Sequence, residues 1–347
     1  MSNPTPETPK ASGLTRKDFL SKTDPRWCAG CGCFSAFNSL TSVFPNTGIP
    51  REKFAIISGI GCSSRLPYYA DCYGFHTIHG RAPTIAAGVK LANPELSVWV
   101  VTGDGDALSI GGNHFLHLMR RNADIKLSLF NNQIYGLTKG QTSPTTKPGT
   151  KTKTTPFGNF ENSVRPLALA LAAGATFAAR VPDTDGELLR EAYTAAASHK
   201  GVAFIEILIN CVIFNDGTYL PLTDKATKAD TTLRLKQGEP MLFGADRNKG
   251  IRLGRDLKPE VVKIGENGVT VNDILVHDIH RKDSSLAYLL SLMDYPDSPV
   301  PLGIFRQVSE PVHEFRSAYP KKRNLNDLLC EGNAWNLGAT GEISPVS

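Results

Sequence analysis

Two polar turn motifs sit directly behind apolar runs of strand length, and this placement limits the possible folds more than any other feature. Ser97-Val98-Trp99-Val100-Val101-Thr102 leads into Gly103-Asp104-Gly105-Asp106, and Ile125-Lys126-Leu127-Ser128-Leu129-Phe130 leads into Asn131-Asn132-Gln133-Ile134. Each run is short and bounded by Gly, Asn or Asp, the residues that dominate turns. A helical pattern, Asn113 to Arg121, lies between them, so the pair reads as strand, helix, strand. Similar alternation extends from about residue 34 to 211, with helices predicted over Phe34 to Phe44, Ala82 to Ala92 and Gly186 to His199, and strands over Phe54 to Ser58 and Ala203 to Leu208. The expected fold is therefore α/β, a doubly wound parallel sheet with helices on both faces. With 347 residues, 41% of them hydrophobic, the chain can bury one large core of this kind. No fixed-period repeat is present, which excludes a solenoid.

Both motifs fall at carboxyl ends of predicted strands, the edge at which open α/β sheets bind ligands. Asp and Asn oxygens suit a hard divalent cation that keeps phosphate oxygens and water among its ligands. Either motif alone reads equally well as a backbone turn, whereas the pair, one helix and one strand apart, points to a magnesium diphosphate site. Gly103-Asp104-Gly105 followed by Asn131-Asn132 resembles the thiamine diphosphate motif of transketolases, decarboxylases and 2-oxoacid oxidoreductases. The resemblance implies a sheet of the thiamine diphosphate-binding type, Mg²⁺ held by side-chain oxygens of Asp104 and Asn132 and the carbonyl of Ile134, and a cofactor surrounded by Gly61, Cys62, His79, Gly103, Gly105, Asp106, Leu137 and Thr138.

Seven cysteines, Cys28, Cys31, Cys33, Cys62, Cys72, Cys211 and Cys330, occur in a sequence with no signal-peptide pattern and no apolar stretch of membrane-spanning length. A reducing cytoplasm is expected, where such thiols serve metals more often than disulfides. Cys28-Ala29-Gly30-Cys31 is a C-x-x-C in a Gly-rich turn, Cys62 follows Gly59-Ile60-Gly61 behind a strand, and Cys211 ends Glu206-Ile207-Leu208-Ile209-Asn210. Four thiolates gathered there suit either zinc or an iron-sulfur cluster, and spacing does not choose between them. The run Trp27-Cys28-Ala29-Gly30-Cys31-Gly32, then Gly59-Ile60-Gly61-Cys62-Ser63-Ser64, then Cys211 closely resembles the β subunit of 2-oxoacid:ferredoxin oxidoreductases. That resemblance spans about residues 16 to 225 and implies that Cys28, Cys31, Cys62 and Cys211 ligate one 4Fe-4S cluster. Cys33, Cys72 and Cys330 match no ligand position and read as small packed thiols.

Tyr135-Gly136-Leu137-Thr138-Lys139-Gly140-Gln141-Thr142-Ser143-Pro144-Thr145-Thr146 follows the second motif directly, a composition that can fold over a cofactor and set a cation and hydroxyls against a carboxylate. Arg65, three residues after Cys62, is a second cation. Two cations suit a dicarboxylic 2-oxoacid, so Lys139 and Arg65 favour 2-oxoglutarate over pyruvate; Arg65 alternatively neutralises the thiolates. Within the resemblance, loops of this type belong to 2-oxoglutarate-using and broad-specificity members. His79 precedes a helix with Pro83 in its first turn, and the resemblance sets it with Gly80 and Arg81 beside the thiamine as a catalytic residue, which Lys139 and Arg65 join on the charge argument. His76 reads as satisfying main-chain groups, and His114 with His117 lacks the further ligands a zinc site needs.

The reaction implied is oxidative decarboxylation of 2-oxoglutarate with coenzyme A to succinyl-CoA and CO₂, with electrons leaving through the cluster to ferredoxin. Pyruvate or broad 2-oxoacid oxidation, and a non-redox thiamine-binding protein with a structural zinc, are the alternatives. In this family the glutamate that activates thiamine lies on an α subunit, so an αβ unit, doubled into a heterotetramer, is expected to be the active form. Residues 1–15, with Pro4, Pro6 and Pro9, read as a flexible arm; 16–225 as the cofactor domain; and 226–347, where periodicity weakens, as an extension that contacts a partner. The net charge of +5 is scattered, with its densest run at Lys321-Lys322-Arg323, which argues against nucleic acid as a partner.

Overall fold

The computed structural model describes residues 13–312 and two short strands, Trp335–Leu337 and Ile343–Pro345. Most of the expected arm, Cys330 and Lys321-Lys322-Arg323 lie outside the described residues. Residues 1–313 and 314–347 are two compact units; in the second, the two short strands pair antiparallel.

In the first unit α1 (Cys33–Val43) precedes β1 (Phe54–Ser58) and β2 (Tyr73–His76), and α2 (Ala82–Ala92) carries the chain to β3 (Ser97–Gly103). Short α3 (Asp104–Leu108) and α4 (Gly112–Arg121) connect to β4 (Ile125–Asn131); α5 (Pro166–Ala172), β5 (Phe177–Pro182), α6 (Gly186–Ser198) and β6 (Ala203–Leu208) follow. The predicted α2, β1 and β6 coincide with these bounds, and the other predicted helices are met to within one residue at either end. Local chemistry sets several ends: Asp185 caps α6 by accepting from Leu188 N at 2.9 Å, Pro83 sits in the first turn of α2, and Asn122 stops α4 in the left-handed region at φ 47°.

The main sheet has the order β2-β1-β3-β4-β6-β5 and is parallel throughout these six strands. β1, β4, β5 and β6 are buried at every position, as a parallel sheet covered on both faces requires. On one face Phe37 and Leu40 of α1 and Leu188 and Leu189 of α6 pack against Trp99, Ile205 and Ile207. On the other, Ala86, Phe115, Leu118 and Leu167 meet Val100, Leu127 and Phe204.

Beyond two single-turn helices, α7 (Leu220–Thr223) and α8 (Lys228–Thr231), the chain forms β7 (Thr232–Arg234), the antiparallel strands β8 (Leu242–Phe243), β9 (Lys249–Leu253) and β10 (Pro259–Lys263), then α9 (Ser285–Leu292) and β11 (Val300–Gln307). β11 pairs antiparallel with β5 and parallel with β7, so the main sheet runs across the boundary expected near residue 225. Pro301 and Gly303 within β11 hide that strand from a propensity reading.

An ion pair joins β5 to β6: Arg180 Nε donates to Glu206 Oε2 at 2.8 Å, and Asn131 Nδ2 donates to Glu206 Oε1 at 2.8 Å, with both charges almost fully buried. Glu206→Ala strands the guanidinium and is expected to cost about 3–5 kcal/mol of unfolding free energy in urea titration. The apolar pair Arg180→Met with Glu206→Leu should recover most of that, and an equal loss in both would show that packing rather than charge is responsible.

His199 is buried, and that burial, followed by the nearby Lys126 ammonium, pushes its imidazole down to about 4. The unfolded chain, near pKa 6.5, takes up the proton first, so stability present above about 6.5 is lost as pH falls toward 4. His199→Gln should flatten that part of the stability profile; an unchanged slope would contradict the assignment.

Candidate active site

β1, β3, β4 and β6 all end at one edge, because each is parallel to its neighbour. From β1 the chain moves outward to β2, and from β3 it moves the opposite way to β4, so the crevice between β1 and β3 is a topological switch point. Gly59-Ile60-Gly61-Cys62 and Gly103-Asp104-Gly105-Asp106 flank that crevice.

Asp104 opens α3 and is 2% exposed. The hydroxyls of Ser143 and Thr145 donate to its Oδ2 at 2.5 and 2.6 Å. Burial nevertheless pushes the Asp104 carboxyl up to about 6, since two hydroxyls do not compensate a buried anion. A divalent cation at this carboxylate supplies the missing charge, so the residues present fit Mg²⁺. The second loop is shaped to complement it. Asn132 Oδ1 accepts from Ile134 N at 3.2 Å, and Gln133 between them is left-handed at φ 55°. Tyr135 locks the two loops face to face, its hydroxyl donating to Gly105 O at 3.0 Å and its ring lying where a Cβ on Gly105 would approach to 2.3 Å.

The cysteines converge beside these loops. Cys31 N donates to Cys28 O at 3.0 Å in the turn before α1, and Trp27 Nε1 donates to Cys62 O at 2.7 Å, tying the first cysteine segment to the second. Asn215 Nδ2 donates to Asn132 O at 2.9 Å, stitching the Cys211 loop to the loop after β4. A Cβ on Gly136 would stand 3.5 Å from Cys211 Sγ and 3.8 Å from Cys62 Sγ, so this glycine leaves the space in front of both thiols open.

Burial, and then the Cys31, Cys211 and Cys28 sulfurs, push the Cys62 thiol up to about 11, which is how mutually close thiolates behave when no cation sits between them. The donor set therefore fits a soft, positively charged metal group. Among the described residues no group of three or more His, Cys, Asp or Glu is arranged to hold a metal ion.

One cavity of about 530 Å³ is lined by Cys28, Cys31, Cys62 and Cys211 together with Asp104, Asn132, Ile134, Gly61, Gly103, Gly105, Leu137 and Thr138. His79, Arg65 and Asp106 line it too. Lys139 does not: it is exposed on the turn of the Tyr135–Gln141 hairpin, with φ 79°. Cys33 is buried behind Cys31, and its thiol hydrogen bonds to the Cys31 sulfur, drawing that thiol down to about 7. Cys72 is pushed up to about 12 by burial. His76 Nδ1 lies 3.0 Å from Ser64 O, and His117 Nδ1 accepts from Arg120 Nε at 3.3 Å on α4. The sequence set Ser143 and Thr145 in a loop over the cofactor but not on Asp104, and Trp27 in the cysteine motif but not on Cys62, because the hydroxyls act across the sheet edge and the indole reaches a carbonyl.

The family of thiamine pyrophosphate enzymes, C-terminal TPP binding domain, matches residues 59–207. The 2-oxoglutarate oxidoreductase subunit KorB of Mycobacterium tuberculosis is 47% identical over 333 residues, covering 92% of this chain and 88% of that protein. The chain belongs to the β subunits of 2-oxoacid:ferredoxin oxidoreductases. The β subunit of 2-oxoacid:ferredoxin oxidoreductase 1 from Aeropyrum pernix is 46% identical over 190 residues, which cover 55% of this chain and 60% of that one. A solved structure of 2-oxoglutarate:ferredoxin oxidoreductase from Magnetococcus marinus, with 2-oxoglutarate, coenzyme A and succinyl-CoA bound, superposes with TM-score 0.72 at 32% identity, covering 92% of this chain and 97% of that chain. Membership as a β subunit implies an α partner, and the matched domain makes thiamine diphosphate the cofactor of this fold.

In this β subunit Gly105→Ala is expected to drive Tyr135 out of place, costing about 1–3 kcal/mol of stability and weakening Mg²⁺-dependent thiamine diphosphate binding in a fluorescence titration. Tyr135→Leu in the same chain should restore the stability; if it does not, the contact between the loops is not the cause.

Proposed function

We propose that this β subunit carries thiamine diphosphate, Mg²⁺ and one 4Fe-4S cluster in the cavity at the switch point, and that with its α partner it oxidises 2-oxoglutarate in the presence of coenzyme A. The observation that carries the reading is the shared cavity: four thiols and both diphosphate-type loops line the same 530 Å³. A structural zinc has no reason to lie there, whereas a redox cluster beside thiamine has one. Asp104 and Asn132 offer side-chain oxygens and Ile134 its carbonyl to Mg²⁺; Cys28, Cys31, Cys62 and Cys211 offer thiolates to iron. When bound, thiamine diphosphate supplies the carbon nucleophile and electron sink for decarboxylation, and the cluster a one-electron acceptor.

The chain's own residues orient and exclude. Leu137 and Thr138 close one wall of the cavity, and Trp27 and Ile134 keep water from its floor. Arg65 lies on the wall as a cation for a substrate carboxylate, its Nη1 donating to Arg26 O at 3.4 Å. Lys139, exposed on the hairpin outside the cavity with no polar partner for its amine among the described residues, is the second cation proposed for a dicarboxylate. Exposed Cys28 is the edge nearest solvent, the natural exit for electrons to ferredoxin. No described helix is long and apolar enough to cross a membrane, and the free thiols fit the cytoplasm. Broad 2-oxoacid use is the second reading, favoured by the name of the Aeropyrum relative and by the exposed position of Lys139.

Anaerobic purification with the α chain is expected to give about four irons per β chain, no stoichiometric zinc and a brown protein. Zinc without colour would overturn the proposal. Arg65→Ala should raise KM for 2-oxoglutarate more than KM for pyruvate, and equal effects in steady-state assays would remove its role in choosing the dicarboxylate.

A further inference from the structure

Asp106 is 2% exposed and lies on the cavity wall, yet its oxygens already have protein partners. Oδ1 accepts from Ile60 N at 3.0 Å and from Gly80 N at 2.7 Å, and lies 2.7 Å from His79 Nδ1; Oδ2 accepts from Thr102 Oγ1 at 2.6 Å. The local backbone is shaped to leave room for this carboxylate. A Cβ on Gly59 would come within 1.8 Å of Asp106 Oδ2, and Gly80, at φ 72°, is in the left-handed conformation that turns its N–H inward.

These contacts decide the state of His79. Main-chain N–H groups can only donate, so Oδ1 is an acceptor, and the imidazole nitrogen facing it must carry a proton. In the neutral ring Nε2 is then a bare acceptor. It has no hydrogen-bond partner among the described residues, and the ring is 37% exposed on the cavity that Asp104 and Asn132 share. Tyr135, which locks the two diphosphate loops, stands beside it with ring centroids 6.3 Å apart.

We infer that Asp106 is a positioning residue that fixes His79 in the Nδ1–H tautomer, so that Nε2 accepts a hydrogen bond, and in turn a proton, from the hydroxyl formed on the substrate's former keto oxygen. That oxygen would lose its proton as its bond to carbon regains carbonyl character, a two-electron oxidation whose electrons the proposed reaction passes one at a time through the cluster to ferredoxin, and Nε2 would hold the proton until solvent takes it. An amide at position 106 would keep the shape of the turn but offers an NH₂ in place of one carboxylate oxygen. Either its oxygen faces the main-chain donors and the negative charge behind the imidazolium is lost, or its NH₂ faces Nδ1 and selects the opposite tautomer.

The inference rests on the thiamine-dependent reaction proposed above, and the test separates the two. In the αβ complex, Asp106→Asn should lower kcat for 2-oxoglutarate oxidation by about 10²–10⁴-fold, with KM for 2-oxoglutarate and affinity for thiamine diphosphate little changed. In a His79→Gln background the same change should cost no further kcat, because a residue acting only through the imidazole has nothing left to act on. Multiplicative losses in the double variant, or loss of thiamine diphosphate binding in Asp106→Asn, would overturn the inference and make Asp106 a support of the cofactor pocket. A wild-type complex without 2-oxoacid oxidation would instead sink the proposed function itself.

Discussion

Parallel pairing of β1, β3, β4 and β6 is the constraint on which everything at this site depends. A parallel ladder places every carboxyl end at the same edge, so four loops far apart in sequence meet without any of them being long. Gly103 pairs with Phe130 and Asn131 with Leu208, which sets the loops after β3, β4 and β6 at one level. An antiparallel arrangement of the same strands would scatter these loops between opposite edges.

At that edge charge is concentrated without compensation from the protein. Asp104 is buried with two hydroxyl donors, and Cys28, Cys31 and Cys211 stand close enough that each opposes ionisation of Cys62. Buried groups of this kind are tolerated where a cation is bound in use, and the two sets suit different ones: oxygen donors a hard cation, sulfur donors a soft one. Between them lies Gly136, whose missing side chain keeps the two Sγ atoms and the Asn132 amide in contact with the same space. The polar partners are spent on holding these groups still. Trp27, Tyr135 and Asn215 each reach a main-chain carbonyl in a neighbouring loop, so the site is tied together by hydrogen bonds that cross between strands.

The sequence carried β1, β3, β4 and β6, the helices α1, α2, α4 and α6 and the ligand-type residues, because hydrophobic periodicity and turn chemistry are local, whereas β2, β5 and α5 went unpredicted. Gly103-Asp104-Gly105, Asn132 and the four cysteines are legible as types that few other roles require. Asp106 shows the limit: the resemblance sets Asp104 on Mg²⁺ and Asp106 only near the cofactor, and the partners that hold Asp106, Ile60, Gly80 and His79, come from three other loop positions that only the fold brings together. Lys139 was readable as a cation after the loop but not as one left outside the cavity, since its direction depends on the hairpin closed by Tyr135 and Gln141. β11 was missed for a related reason, as its place beside β5 is fixed by long-range packing rather than by its own Pro-containing sequence.

The central claim is that the thiols and the diphosphate loops form one redox unit. Electron paramagnetic resonance of the anaerobic αβ complex, mixed with 2-oxoglutarate and frozen with and without thiamine diphosphate, tests it most directly. A reduced 4Fe-4S signal that grows only when thiamine diphosphate is present is the expected result. A cluster that 2-oxoacids never reduce, or one they reduce equally well without thiamine, would contradict the account.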